Sequence, residues 1–174
     1  MRRLPYMGVS AAVILLDQIT KLAVNRFLDL HESRTLIPGL LSLTYVRNRG
    51  AAFGILSDAS LPHQPLLFSL VSFAALAGIV GYALWLPPHE RLSQAALGLV
   101  IGGAVGNLLD RARHGYVVDF VDVFWKTHHW PAFNVADSAI TTGVGLVVLD
   151  MLLSASREGK AGVEAVSAPT GRIE

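Results

Sequence analysis

Two aspartates stand where a merely solvated carboxylate would be out of place. Asp119 lies in the run Tyr116-Val117-Val118-Asp119-Phe120-Val121-Asp122, among apolar residues. Asp137 closes the run Trp130-Pro131-Ala132-Phe133-Asn134-Val135-Ala136-Asp137, at the start of a long apolar stretch. Burying an unpaired carboxylate at a membrane costs several kcal/mol, so an acid there is a functional hypothesis by default. Asp137 also has a structural reading, as an acid in the first turn of a helix interacting with the helix dipole. Taken singly, neither residue decides between structure and chemistry. As a pair they carry more, because the chain between them is short enough for their carboxyls to converge. Two close carboxyls cannot both ionise cheaply, so one can hold a proton while the other accepts one from water. That is the acid–base arrangement for peptide-bond hydrolysis, and such a pair titrates jointly.

The other polar residues read differently. Asp17 and Lys21 are at i, i+4 and suggest a structural ion pair inside a bundle before they suggest catalysis. Asn107, Asp110 and Arg111 are three and four residues apart and are expected to share one helix face. Asp122 lacks the apolar enclosure of Asp119, and Asp150 falls near the far end of its helix, at the opposite interface. His128 and His129 adjoin Trp130 and read as an interfacial belt, with no third ligand spaced to complete a metal site. The absence of cysteine excludes disulfides, thiolate nucleophiles and zinc–thiolate sites. Serine and lysine form no convincing nucleophile–base pair near the apolar–polar boundary.

The elements that must position these groups are membrane helices. Of the 174 residues, 52% are apolar and 16% charged, against about 25% charged in soluble domains. The mean hydropathy is +0.49. A net charge of +1 and the lack of a basic tract argue against a nucleic-acid partner. Four stretches approach the ~20 residues needed to cross the hydrocarbon core, at about 7–26, 66–86, 92–111 and 135–155. The second and the core of the third are uncharged, which disfavours a soluble helical bundle. Arg2 and Arg3 resemble the basic start of a signal peptide. Asp17, Gln18 and Lys21 interrupt the apolar run behind them and no small-residue cleavage site follows, so a retained helix is expected. Gly98, Gly102 and Gly106 form a small-residue stripe for close helix packing, and Ala136, Ala139, Gly143 and Gly145 suit the same use. The alternation in Leu41-Ser42-Leu43-Thr44-Tyr45 predicts a half-buried strand. The glycines of Asn48-Arg49-Gly50-Ala51-Ala52-Phe53-Gly54 suit a turn or close backbone approach. This segment reads equally as a platform pairing with an extended peptide or as an ordinary hairpin covering the bundle. Residues 1–156 form one integral membrane domain, and residues 157–174 read as a polar, disordered tail.

Parity of crossings puts loops 27–65 and 112–134 on one membrane side and both termini on the other. Counting lysines and arginines on the two sides gives a tie, so the positive-inside rule does not orient the chain. Arg2 and Arg3, with no acid beside them, favour a cytoplasmic N-terminus.

The chain resembles the lipoprotein signal peptidase (signal peptidase II) family over essentially its whole folded length. The matching segments are Asp17-Gln18-Ile19-Thr20-Lys21, Asn48-Arg49-Gly50-Ala51-Ala52-Phe53, Gly102-Gly103-Ala104-Val105-Gly106-Asn107-Leu108-Leu109-Asp110-Arg111, Val118-Asp119-Phe120 and Phe133-Asn134-Val135-Ala136-Asp137. Each is short, but five in order on four spans are specific. The resemblance implies a four-helix membrane bundle with a β-rich periplasmic cradle and a short periplasmic helix. It implies an aspartic endopeptidase of the bacterial inner membrane, with Asp119 and Asp137 as catalytic residues and no metal or cofactor. Supporting or substrate-binding roles fall on Asn48, Gly50, Asn107, Arg111 and Asn134, and a structural role on Asp17 and Lys21. The implied substrate is a diacylglyceryl-modified prolipoprotein among membrane lipids, cut just before its lipidated cysteine, and the implied inhibitor is globomycin. The resemblance also implies a site facing the periplasm or outer surface, with both termini cytoplasmic. The alternative from a different class is a small proton-coupled transporter. It calls for acids near mid-membrane and an inverted repeat, whereas Asp137 is interfacial and the halves show no repeat. A non-catalytic membrane subunit would explain the glycines but not the Asn, Asp and Arg gathered on one face.

Overall fold

The computed structural model of the chain describes residues 4–50, 64–87 and 90–167. Its elements run α1 (Leu4–Phe27), β1 (Ser33–Ile37), β2 (Leu41–Asn48), α2 (Gln64–Trp85), α3 (Arg91–His114), β3 (Val117–Trp125), β4 (His128–His129) and α4 (Val135–Ser167). Four helices carry segments long and apolar enough to span a membrane: Tyr6–Phe27, Leu66–Trp85, Arg91–His114 and Val135–Ser154. The short periplasmic helix that the resemblance implies is not among the described residues. Ala51, Ala52, Phe53 and Gly54 of the expected turn also lie outside them.

α3 is the hub, packed on α1, α2 and α4. The reason is its small residues. A Cβ on Gly98 would stand 2.8 Å from the Tyr6 carbonyl oxygen, and one on Gly102 2.8 Å from the Val13 side chain. Without hydrophobic drive between helices in lipid, such backbone approach supplies the packing. The opposite face meets α4: a Cβ on Gly103 would run into the carbonyl oxygen of Ala136 and lie 2.8 Å from Ile140. Gly143 returns the contact against Ala96 and Val100. Gly145 does not take part, since nothing lies within 4 Å of a Cβ built on it. It sits two residues from Gly143, on another side of the helix. Gly103→Ala is therefore expected to push α4 from α3, at a cost of about 1–3 kcal/mol of overpacking. Thermal denaturation in detergent measures this, and Gly145→Ala serves as the silent comparison.

α3 runs past the expected end at 111 to His114. It stops at Gly115, whose φ of 74° is left-handed and whose N–H bonds Arg111 O at 3.0 Å. α4 also runs further than expected. It continues to Ser167, through the region from 157 that reads as a disordered tail. Ala, Glu and Lys between Arg157 and Ser167 extend a helix already nucleated, which is far easier than starting one.

The strands form one antiparallel sheet in the order β1-β2-β3-β4. β2 is the expected strand, with Ser42, Thr44 and Tyr45 buried. β1 and β3 carry no alternation to reveal them: β1 is exposed throughout, and β3 begins with four buried residues in succession. A cluster of Val24, Leu28, Tyr45, Val118 and Phe120 fastens the sheet to the end of α1.

Candidate active site

The sheet and the helix ends together hold the polar residues. In β2–β3 pairing, Val46 is opposite Asp119 and Asn48 opposite Val117. Asn48 and Asp119 are thus diagonal neighbours on one face, within side-chain reach. The Asn48 amide donates to Asp119 Oδ2 at 3.0 Å. Gly50 N–H donates in turn to Asn48 Oδ1 at 2.8 Å, fixing which end of that amide meets Asp119. Gly50 has φ 118°, and any Cβ there would collide with the Phe68 ring of α2. Two independent constraints therefore demand glycine.

Asp137 sits in a reciprocal cap at the start of α4. Its backbone N–H donates to Asn134 Oδ1 at 2.9 Å, and Asn134 N–H donates to Asp137 Oδ2 at 3.2 Å. This is a capping-box arrangement built from Asn and Asp. The structural reading of Asp137 is thus realised, but for one oxygen only. The other, Oδ1, accepts the Asn107 amide at 2.8 Å.

Asn134 joins the two acids. It is fully buried, and its amide donates to Asp119 Oδ1 at 2.7 Å and to Asn107 Oδ1 at 3.2 Å. All four carboxylate oxygens of Asp119 and Asp137 therefore accept an N–H. Both side chains line one cleft of about 500 Å³ with Asn48, Trp130, Phe133 and Ser138. Asp119 is 2% exposed. Burial pushes its carboxyl up to about 7, and the charge of Asp137 adds to this against the opposing donation from Asn48 and Asn134. A buried acid whose carboxyl is pushed up in this way, lining one cleft with a second carboxyl, is equipped for general acid–base hydrolysis.

The face expected to unite Asn107, Asp110 and Arg111 divides in the structure. Asp110 turns toward α1 and accepts from Lys21 at 2.9 Å. Arg111 turns toward α2 and lies 3.4 Å from the Ser72 hydroxyl, in a smaller cavity shared with Asn107 and Asp137. A residue step of 100° separates the two, enough at a three-helix junction to give them different partners. Lys21 also lies 2.9 Å from Asp17, whose other oxygen accepts Ala136 N–H at 3.0 Å and so receives the start of α4. Asp122 pairs with His129 at 2.9 Å, and His129 stacks on Phe124. Asp150 accepts from the Ser93 hydroxyl near the start of α3.

A family model described as "Signal peptidase (SPase) II" matches residues 9–153 of the chain. The chain belongs to the signal peptidase II family. It is therefore a peptidase, and a multi-pass membrane protein. Among its relatives, a lipoprotein signal peptidase of Geobacter metallireducens is 49% identical over 152 residues, covering 87% of this chain and 93% of the relative. One from Geobacter sulfurreducens is 50% identical over 145 residues, covering 83% and 89%. A solved bacterial membrane enzyme, determined by the in meso method at 2.3 Å resolution, superposes with a TM-score of 0.77 at 29% identity, covering 97% of this chain and 94% of that one. In this signal peptidase II, sequence reasoning missed Gln18 as a polar link. Its amide donates to Asp110 at 3.0 Å, and its carbonyl accepts Arg113 at 2.9 Å. The second ion pair of Lys21 was equally out of reach. Asp110 is 89 positions away, and no periodicity reports on pairs from different helices.

Proposed function

We propose that the chain cleaves the signal peptide from diacylglyceryl-modified prolipoproteins just before the lipidated cysteine, with Asp119 and Asp137 as the catalytic dyad. The observation that carries this reading is Asn134, whose side-chain amide donates to the Asp119 carboxyl and whose backbone N–H donates to the Asp137 carboxyl, with both acids lining one cleft. One aspartate takes a proton from water, whose oxygen attacks the scissile carbonyl carbon. The other, protonated, donates to the carbonyl oxygen. Collapse of the tetrahedral intermediate breaks the C–N bond, and the departing nitrogen takes up a proton from the dyad.

Asn48 and Asn134 orient Asp119, Asn107 orients Asp137, and Gly50 lets the β2 end approach α2. Arg111 supports the substrate side. Its Nε is buried and has no hydrogen-bond partner among the described residues, and the cavity it lines reaches Asp137. A peptide carbonyl would satisfy it. The dyad faces the periplasm or outer surface of the bacterial inner membrane, both termini are cytoplasmic, and the substrate's acyl chains stay in the hydrocarbon phase.

The test is cleavage of a lipidated prolipoprotein by the purified protein in detergent, blocked by globomycin. A transporter needs a sealed bilayer and would show no cleavage. Arg111→Ala is expected to slow processing about ten- to a hundredfold, the worth of one charge-assisted hydrogen bond. Arg113→Ala, at an exposed residue bonded to Gln18, is expected to stay within about twofold, as usual for surface changes. Initial rates on a gel shift decide it, and equal effects would remove Arg111 from the site.

A further inference from the structure

We infer that Lys21 is a positioning residue for the reaction: its ammonium locks the Asn107 amide in the one orientation that donates to Asp137. The inference rests on the dyad reading above. Lys21 is 4% exposed and has three donors and no acceptor. Asp17 takes one at 2.9 Å, Asp110 another at 2.9 Å, and Asn107 Oδ1 the third at 2.8 Å. The ammonium is thereby saturated and held from three sides.

The two ends of an asparagine amide are nearly equal in shape, so only partners decide which way it points. Asn107 lies between an ammonium and a carboxylate. Turned over, it would set N–H against N–H at Lys21 and oxygen against oxygen at Asp137. With Lys21 present, Oδ1 must face the ammonium, and Nδ2 is driven onto Asp137 Oδ1 at 2.8 Å. The same oxygen of Asn107 also accepts Asn134 Nδ2 at 3.2 Å, the amide that binds Asp119. One fixed cation thus sets the sense of donation toward both acids. Lys21 donates to Asn107, Asp17 and Asp110 rather than to either carboxyl of the dyad, and acts through Asn107.

A purely structural ion pair and a positioning residue differ in what they move. The decisive experiment is a double-mutant cycle of Lys21→Met, Asn107→Ala and the double variant, purified in detergent. It reads kcat and KM on a lipidated prolipoprotein together with the thermal midpoint. Lys21→Met is expected to lower kcat about ten- to a hundredfold with KM within about twofold. In the Asn107→Ala background the same change is expected to alter kcat by less than about threefold, while the thermal midpoint still falls. Lys21→Met alone leaves Asp17 and Asp110 unpaired. The double variant Lys21→Met with Asp110→Asn retains the cluster's single net negative charge and repeats the measurement if the first fails to fold. Multiplying kcat effects, unchanged kcat in a folded Lys21 variant, or failure of both Lys21 variants to fold would each overturn the inference. Asp119→Asn and Asp137→Asn run alongside. Activity in either sinks the dyad itself, whereas inactive dyad variants with independent Lys21 and Asn107 effects sink only the positioning role.

Discussion

Asp119→Asn and Asp137→Asn are each expected to leave a lipidated prolipoprotein uncleaved, while the purified variants still insert and fold. The folding half follows from the hydrogen bonds. Each carboxylate oxygen accepts one N–H, so an amide keeps the oxygen-side contact and loses the other. One such loss costs about 1–3 kcal/mol, within what a bundle packed through α3 tolerates. The chemical half follows from proton chemistry. An amide neither accepts a proton from water nor gives one to a carbonyl oxygen near neutral pH. Loss of one member of a cooperating catalytic unit costs about 10⁴-fold or more in kcat. Processing by either variant within about tenfold of the parent protein would refute the dyad assignment. The pH profile of the parent protein gives a second reading. The Asp119 carboxyl, ordinarily near 3.8, is pushed up to about 7, so its protonated form persists through the weakly acid range. A step that needs one proton on the pair is therefore supported below about 7 and declines as pH rises through it. A kcat/KM that stays level well into the alkaline range would contradict this.

Asn134→Ala carries the next largest effect, on activity and stability together. The substitution removes the donor to Asp119 Oδ1, the donor to Asn107 Oδ1 and the acceptor for Asp137 N–H. Loss of the cap costs about 1–2 kcal/mol. Leaving Asp119 and Asn107 short of a buried donor costs about 1–3 kcal/mol more. The acids also lose their common tie, and kcat is expected to fall about 10²- to 10³-fold, the penalty for small misplacement of reacting groups. Asn134→Asp, equal in size, would place a third carboxyl among the first two and is expected to be at least as damaging. The measurements are initial rates and thermal midpoints in one detergent. A stable variant with near-normal rate would show that Asn134 does not organise the pair.

The helices were legible because a membrane span declares itself within one window of sequence. Asp119 and Asp137 were legible as candidates because an acid inside an apolar run conflicts with its neighbours. What lay beyond reach was relational. The Asp17–Lys21 spacing announced an ion pair, but not that Asp110 joins from α3 or that Asp17 receives the first turn of α4. The three polar residues at 107, 110 and 111 are one face on a helical wheel. In the bundle they serve three directions, because α3 is surrounded. β3 has no alternation to betray it because both of its faces are covered where it starts, and β1 has none because neither face is. The length of α4 was underestimated for a different reason. Polarity marks the end of the hydrocarbon core, whereas a helix ends only where its backbone is capped or broken.

α2 differs from the other helices in how little of it the protein encloses. Only 6% of its span is buried, and Leu66, Leu67, Leu70, Val71 and Phe73 all face outward. Yet Ser72, Leu76 and Ile79 from this helix wall the cavity that reaches Arg111 and Asp137. The bilayer is therefore a structural component of the site. Hydrocarbon thickness and acyl packing press on α2 as side chains press on a buried helix, and mismatch is met by tilt. On the function proposed above, the substrate's own acyl chains would enter that same medium, so the solvent that delivers the lipoprotein would also shape the wall it must pass.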